Sequence, residues 1–185
     1  PSTKSLIEEF RSNYKNVKHI TYDSFSESSA LNAYESRYGV RGLSNYDFSK
    51  SKVIVSIGAD FLGDWQGGGF DCSYAKGRIP DKGTMSRHIQ FESNMTLSGA
   101  NADVRVPLKL NEQKLVLIEI YKSIVGNKIQ LKSDISLNEK TKKIVDALIR
   151  EIKSAADGSV IISGIKDEDY QSLVLEINEK LNSCL

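Results

Sequence analysis

The chain has few of the residues from which metal clusters are built. Its 185 residues include two cysteines, Cys72 and Cys184, and two histidines, His19 and His88. A structural zinc site or an iron–sulfur cluster needs about four thiolate or imidazole ligands at close spacing, and the sequence has no CxxC motif. The chain alone therefore supplies no such cluster. The two cysteines are interpreted as free thiols, with a Cys72–Cys184 disulfide as the alternative.

An excess of charge of one sign and a long apolar run are also missing. The formal net charge is +1 with 26% charged residues, which argues against a nucleic-acid-binding surface or a disordered acidic tail. No apolar run approaches the length of a membrane span, and no signal-peptide pattern is present. Because the first residue is Pro1, we expect the chain to be a fragment of a longer protein, so its lack of a targeting signal does not identify a compartment.

Helix and strand patterns alternate along the chain, which predicts an α/β fold. Run 52–58 is continuously apolar, as in a central parallel strand, and Pro107 places the strand at 102–109 at a sheet edge. Further strands are predicted at 17–23, 87–93 and 159–164. Helices are predicted at 2–14, 24–39 (with Ser24 or Ser26 as N-cap and Gly39 as the stop), 112–126, 138–158 and 167–182, with a short one near 70–76.

This alternation predicts one domain over 1–185, with a mainly parallel, Rossmann-like sheet and helices on both faces. Segment 127–137 is polar and poorly periodic, and we interpret it as a linker or insertion before the last helix–strand–helix unit. Parallel sheets bind ligands where strands end at the carboxyl edge. Segments 56–60, 91–103 and 162–169 are expected to reach that edge, and each places glycine or small polar residues after a strand.

Two phosphate-binding motifs are absent: G-x-G-x-x-G after residue 57, and GxxxxGK[ST]. The turns that follow the strands are therefore either a phosphate site without its usual fingerprint or ordinary glycine turns. The carboxylates Asp60, Asp64 and Asp71 are either a paired acid–base set or turn formers. Arg87–His88 is either an anion or proton site or, as we favour, a structural hydrogen-bonded pair. The residues form no clear catalytic constellation.

Two segments carry a family resemblance: "YDFSKSKVIVSIGADFLGDW" (46–65) and "MSRHIQFESNMTLSGANADVRVPLK" (85–109). They resemble the molybdopterin-oxidoreductase-like region in the large iron–sulfur subunit of bacterial alternative complex III, a quinol:electron-acceptor oxidoreductase. Such subunits are also described as TAT-translocated molybdopterin oxidoreductases or iron–sulfur-cluster-containing hydrogenase components. The likeness runs from about residue 18 to the final helix and is tightest over 47–109.

More distantly, the order of segments resembles the cofactor domain of true molybdopterin enzymes. Their G-x-N-P and Asp-Pro-Arg elements appear here as 58–61 and 91–93, with the characteristic Asn, Pro and Arg replaced, and their P-G-T-D appears as 110–113 without Pro or Gly. Their T-x-x-A-x-x-A-D appears at 96–103, which keeps Thr96, Ala100, Ala102 and Asp103. The corresponding vestigial cofactor positions are Gly58, Asp60, Glu92, Ser93, Thr96 and Asp103. Carboxylates at Asp60 and Glu92 would repel a phosphate.

The resemblance implies a non-catalytic scaffold domain of an electron-transfer subunit, on the periplasmic side of the bacterial inner membrane. It implies no molybdopterin here, iron–sulfur clusters elsewhere in the full-length subunit, and contacts with other domains and subunits of a membrane-associated respiratory complex. Loop 61–71 is expected to be partly exposed and to pack on those partners through Phe61, Leu62, Trp65 and Phe70. Two alternatives stay open: a functional pterin-nucleotide domain completed by other parts of the chain, and an independent small-molecule or protein-binding α/β module.

Overall fold

Four short strands form one parallel sheet at the centre of the computed structural model, which describes residues 2–23, 25–80, 83–126, 129 and 136–183. The strands are β1 (Val53–Ile57), β2 (Arg87–Glu92), β3 (Val104–Pro107) and β4 (Ser159–Ser163), in the order β3-β2-β1-β4. All neighbouring strands are parallel. The predicted α/β fold, the central position of 52–58 and the edge position of 102–109 are thus confirmed.

Helices pack on both faces of the sheet. The helices within the described residues are α1 (Ser2–Asn13), which has no buried residue, α2 (Ser28–Tyr38), α3 (Asp71–Gly77), α4 (Leu97–Ala100), α5 (Leu110–Ile124), α6 (Glu139–Ala155) and α7 (Glu168–Leu181). Short 3₁₀ turns occupy Phe48–Lys50, Trp65–Gly67 and Ala156–Gly158. The predicted helices agree with these to within a few residues, except that α4 was not predicted and α2 begins later than expected.

The amino-terminal part departs most from prediction. The strand expected at 17–23 is wrong, because these residues have no regular structure and their apolar side chains find no sheet to join: Ile20 is 72% and Tyr22 is 87% exposed. Helix α2 begins at Ser28, whose N–H donates to Ser26 Oγ, whereas Ser24 lies outside the described residues. Of the expected linker at 127–137, only 129, 136 and 137 are described, so that prediction is not tested.

The first core cluster lies between one face of the sheet and helices α5, α6 and α7. Strand side chains that alternate along β1 and β2 point into it, as the two-residue period of a strand requires. They meet apolar residues spaced three or four apart on each helix, and the pattern of strand followed by amphipathic helix encodes this half of the fold. Its fully buried members include Val55, Ile57, Phe91, Leu117, Ile120, Ile152, Ile161 and Ile177.

The second core cluster covers the opposite face and is mostly aromatic. Ile54 of β1 with Val160 and Ile162 of β4 form its base. Aromatic side chains from both flanks of β1 cover that base, at centroid distances between 4.7 and 6.3 Å: Tyr46, Phe48, Phe61, Trp65 and Phe70. The "YDF" run before β1 and the loop after it therefore fold onto each other.

This packing corrects the expected exposure of loop 61–71. Phe61 is fully buried, and Trp65 and Phe70 are only 7% and 8% exposed. Those three side chains belong to the chain's own core, because the aromatic residues at 46–48 supply the apolar surface that the loop was expected to find on a partner. Leu62 alone is half-buried at the margin of the cluster, and for it a role in packing against another subunit stays a prediction.

We expect Trp65→Ala to lower the free energy of unfolding by about 3–5 kcal/mol, the usual loss when a buried indole is truncated in a packed core. Urea unfolding followed by circular dichroism measures the change. Tyr22→Ala, at an 87% exposed aromatic, serves as the matched control and should change the stability little. Equal, small effects of both substitutions would contradict the burial of Trp65.

Candidate functional site

The strand order places a crevice between β1 and β4 at the carboxyl edge of the sheet. From β1 the chain builds outward through β2 to β3 and then crosses to the other side of β1 to form β4. Open α/β sheets bind ligands at the carboxyl ends of strands where the order reverses in this way. The candidate site is therefore built from the turns that follow Ile57 and Ser163.

Two glycines close the ends of these strands. Gly58 has a φ of 70°, a region that glycine reaches without strain, and its N–H donates to Phe91 O at 2.7 Å. Gly164 N–H donates to Ile57 O at 2.9 Å. A Cβ on Gly164 would lie only 2.1 Å from Gly58 O, so the two turns pack backbone against backbone. Close packing of the two turns therefore explains why glycine follows each strand, without any need for a ligand.

A cavity of about 410 Å³ opens above these glycines. Its charged lining residues are three carboxylates and one amine, and Lys166 already pairs with Glu27. The other two carboxylates belong to Asp60 and Asp64. The net negative lining disfavours a phosphate or pyrophosphate, in agreement with the repulsion expected from the sequence.

Asp60 binds the polypeptide itself. Its Oδ1 accepts hydrogen bonds from Ser98 N–H at 2.9 Å and from Ser98 Oγ at 2.8 Å. Ser98 Oγ in turn accepts from Leu62 N–H at 2.9 Å. The carboxylate thereby joins the turn after β1 to the short helix α4, and the turn-forming interpretation of Asp60 is the one that the geometry supports.

Glu92 is the most buried carboxylate at this edge, at 2% exposure. Arg105 Nε donates to its Oε1 at 2.5 Å, Thr96 Oγ1 donates to its Oε2 at 2.7 Å, and Gln90 Nε2 donates to Oε2 at 3.2 Å. A Cβ on Gly99 would come within 1.9 Å of Oε1. Only glycine therefore fits at 99 while the carboxylate keeps this position against α4.

The "TLSGANAD" segment is explained by the same contacts. Thr96 caps α4, since its Oγ1 accepts from Gly99 N–H at 3.0 Å while its own hydroxyl hydrogen goes to Glu92. Asp103, at the other end of the segment, accepts from both terminal nitrogens of Arg78 (2.7 and 2.9 Å) and from His88 N–H (2.7 Å). These bonds, chiefly those from Arg78, lower the pKa of Asp103.

The structure brings five of the six vestigial positions to the carboxyl edge and separates the sixth. Gly58, Asp60, Glu92, Ser93 and Thr96 lie at the ends of β1 and β2, whereas Asp103 lies at the start of β3, at the amino edge. The separation arises because α4 carries the chain back across the sheet between Thr96 and Asp103. One binding site therefore cannot include all six positions.

Sequence reasoning placed Gln113 only as the last residue of the altered P-G-T-D segment and missed its role; its side chain is 3% exposed on α5. Its Nε2 donates to Ser93 Oγ at 2.9 Å and to Leu108 O at 3.1 Å, and its Oε1 lies 2.6 Å from where a Cβ on Gly58 would be. Gln113 therefore joins the ends of β1, β2 and β3. The one signal in the sequence is its position on the apolar stripe of an amphipathic helix, where a buried amide needs partners.

A buried polar row runs along β2 beneath α4. His88 is fully buried, with Nε2 3.1 Å from Gln90 Oε1 and Nδ1 3.2 Å from the Tyr74 hydroxyl. Because Gln90 Nε2 donates to Ala59 O, its Oε1 is the acceptor, so His88 Nε2 carries the hydrogen. The structural, hydrogen-bonded interpretation of His88 is confirmed. Burial, the largest cause, lowers the pKa of His88 to about 4.

The remaining candidates lie apart from this row. Arg87 is exposed and pairs with Glu151 at 3.2 Å, and Asp71 begins α3 on the surface. Cys72 is an exposed free thiol, whereas Cys184 lies outside the described residues. Among the residues that the structure describes, no three His, Cys, Asp or Glu side chains are grouped to hold a metal ion. In the same part of the chain, no helix combines the length and apolarity that a membrane crossing requires.

A scan against protein-family models finds no match for the chain, and a search of curated proteins finds none either.

We expect Arg105→Ala to lower the free energy of unfolding by about 3 kcal/mol, because it leaves the buried carboxylate of Glu92 without its cation. The double variant Glu92→Gln with Arg105→Ala should be less destabilised, since no charge then remains buried. Chemical unfolding of both variants measures this difference. Arg150→Ala on the exposed side of α6 is the control, and a loss as large there as at Arg105 would refute the assignment.

Lowering the pH should destabilise the protein through His88. Because its folded pKa is about 4 against an ordinary 6.5, its stabilisation is complete above pH 6.5 and is lost as the pH falls from 6.5 toward 4. The expected loss between about pH 7 and pH 5 is roughly 2 kcal/mol in urea unfolding. His88→Asn should remove this dependence and His19→Asn should keep it. An unchanged dependence in His88→Asn would assign the loss to other groups.

Proposed function

We propose that this chain is a non-catalytic scaffold domain, similar to the cofactor domain of molybdopterin oxidoreductases, within an electron-transfer subunit of a quinol:acceptor oxidoreductase. In this role it binds no molybdopterin, and electrons pass through iron–sulfur clusters held elsewhere in the full-length subunit. Its partners are other domains and subunits of a membrane-associated bacterial respiratory complex on the periplasmic side. The basis for the family and the compartment is the resemblance of the sequence.

One observation carries the scaffold proposal: the two carboxylates Asp60 and Glu92 at the carboxyl edge are bound by other residues of the chain. Ser98 donates two hydrogen bonds to Asp60, and Arg105 forms an ion pair with Glu92. A pyrophosphate at this edge would have to displace those internal bonds and would meet uncompensated carboxylates. The side chains that end the strands therefore support a structural role for this edge.

The extent of the resemblance also supports the proposal. Residues 47–109, where the likeness is tightest, form β1, β2, β3 and their connections, which are three adjacent strands of the four-stranded sheet. The quoted motifs coincide with contacts that hold these strands and their connections together: Asp60 with Ser98, Glu92 with Thr96, and Asp103 with Arg78. Such residues would persist in a domain that keeps its fold without a cofactor.

A second candidate is favoured by the cavity of about 410 Å³ at the switch point, whose size suits a small molecule. In that case the domain binds the pterin nucleotide of a molybdenum oxidoreductase with the help of residues elsewhere in a longer chain. The two candidates predict different metal contents, so elemental analysis separates them.

The test uses the native gene product purified in mild detergent together with whatever subunits accompany it. We expect iron at several atoms per chain and molybdenum only at trace level by plasma mass spectrometry, with quinol-oxidising activity in the same fraction. Stoichiometric molybdenum would establish the second candidate. A protein without iron and without redox partners would exclude both and leave an independent binding module.

The variant Arg105→Ala sharpens this test. A scaffold domain that is weakened should reduce the amount of assembled complex while leaving the turnover of each assembled complex unchanged. Arg150→Ala provides the matched control for both readouts. A fall in turnover per complex with normal assembly would place this domain in the reaction and contradict the scaffold proposal.

A further inference from the structure

A second cavity lies at the amino edge of the sheet, opposite the crevice between β1 and β4. It has a volume of about 370 Å³ and lies between the residues that enter β1, the end of α3 and the residues that enter β2. We name it the amino-edge pocket, defined by Ser49–Lys52, Lys76, Gly77, Ile79 and Thr84–Ser86. None of the vestigial cofactor positions lines it.

The charge of the amino-edge pocket is positive. Three lysines line it, and its described lining residues include no carboxylate. Lys50 is partly neutralised by Asp47, at 3.2 Å between Nζ and Oδ2. Lys52 and Lys76 have no ion-pair partner among the described residues, and the stem of Lys52 is held against Gly158, where an added Cβ would lie 2.9 Å from it. Two ammonium groups are therefore free to pair with an anion.

An unpartnered hydroxyl lies in the same pocket. Ser86 is only 4% exposed, and its Oγ has no hydrogen-bond partner within the described part of the chain. Its backbone is fixed, since its N–H donates to Gly77 O at 2.9 Å and its carbonyl accepts from Arg78. A buried hydroxyl without a partner is unfavourable, and this one indicates a ligand that can hydrogen-bond.

Gly77 packs closely beside this hydroxyl, where a side chain would clash with its surroundings. A Cβ at this position would lie 3.4 Å from Ser86 Oγ and 2.9 Å from Phe48 O. The last carbonyl of α3, which could repel an anion, is the one that accepts the Ser86 N–H and is therefore satisfied. The described lining thus combines lysine side chains with a hydroxyl, and it includes no carboxylate.

We propose that the amino-edge pocket binds the phosphate group of a phosphorylated small molecule. A dianionic phosphate matches the two unpaired ammonium groups of Lys52 and Lys76 in charge, and its oxygens accept the hydrogen of Ser86 Oγ. The pocket is larger than one phosphate, which leaves room for the molecule that carries it. This site is independent of the scaffold role and of the carboxyl-edge crevice.

The test is a titration of the ¹⁵N-labelled chain with inorganic phosphate at constant ionic strength, followed by amide chemical shifts. We expect saturable shifts confined to 49–52, 76–79 and 84–86. The double variant Lys52→Gln with Lys76→Gln should weaken binding by more than about tenfold, and Ser86→Ala by several-fold without loss of stability. Lys140→Gln with Lys143→Gln on α6 removes the same charge elsewhere and should leave the affinity unchanged.

Equal weakening by the two lysine pairs would mean general charge screening and would overturn the proposal, as would shifts spread over the surface. A second arm replaces phosphate with phosphatidic acid vesicles, which present a phosphate monoester on a lipid. Vesicle binding that depends on Lys52 and Lys76, together with the phosphate response, would identify a lipid headgroup as the source. Vesicle binding without any phosphate response would contradict the pocket as the recognition site.

Discussion

The arrangement of β2, β3 and α4 depends on the interactions of one buried carboxylate, that of Glu92. A charge at 2% exposure is tolerated only when it is paired and hydrogen-bonded, and Arg105, Thr96 and Gln90 meet that requirement from three directions. Residue 99 is glycine and has no side chain to clash with this carboxylate, so helix α4 can approach β2 closely. The position of α4 then sets where Ser98 receives Asp60 and where the chain enters β3.

The carboxyl edge shows how a ligand-binding architecture can be occupied by its own side chains. The switch point, the glycine turns and a cavity are all present between β1 and β4, and the carboxylates of Asp60 and Glu92 are bound within the chain, whereas the buried Trp65 Nε1 and Gln66 Oε1 beside the cavity have no hydrogen-bond partner among the described residues. Under the proposed function, a carboxylate that would repel a phosphate instead attaches α4 to the sheet. The fold is then kept by packing and internal hydrogen bonds rather than by a cofactor.

The two faces of the sheet differ in how well their packing could be predicted from the sequence. The face packed against α5, α6 and α7 follows regular apolar periods, and its strands and helices could be predicted from spacing alone. On the other face, β2 places the polar side chains of His88 and Gln90, and both are fully buried. The expected exposure of loop 61–71 was wrong for a similar reason. Its local sequence does not show that the residues at 46–48 cover Trp65.

The sequence by itself determined the fold class, the central and edge strands, the left-handed stop at Gly39 and the unfavourable charge for a phosphate beside Gly58, because each depends on residues close together in the chain. The tertiary structure decided which carboxylates are paired, since Glu92 and Arg105 stand thirteen residues apart and Asp60 and Ser98 thirty-eight. It also decided that Asp103 lies at the opposite edge from Glu92 and that Gln113 closes the end of β1. Such pairings arise from the folding of distant segments against one another, and no local pattern encodes them.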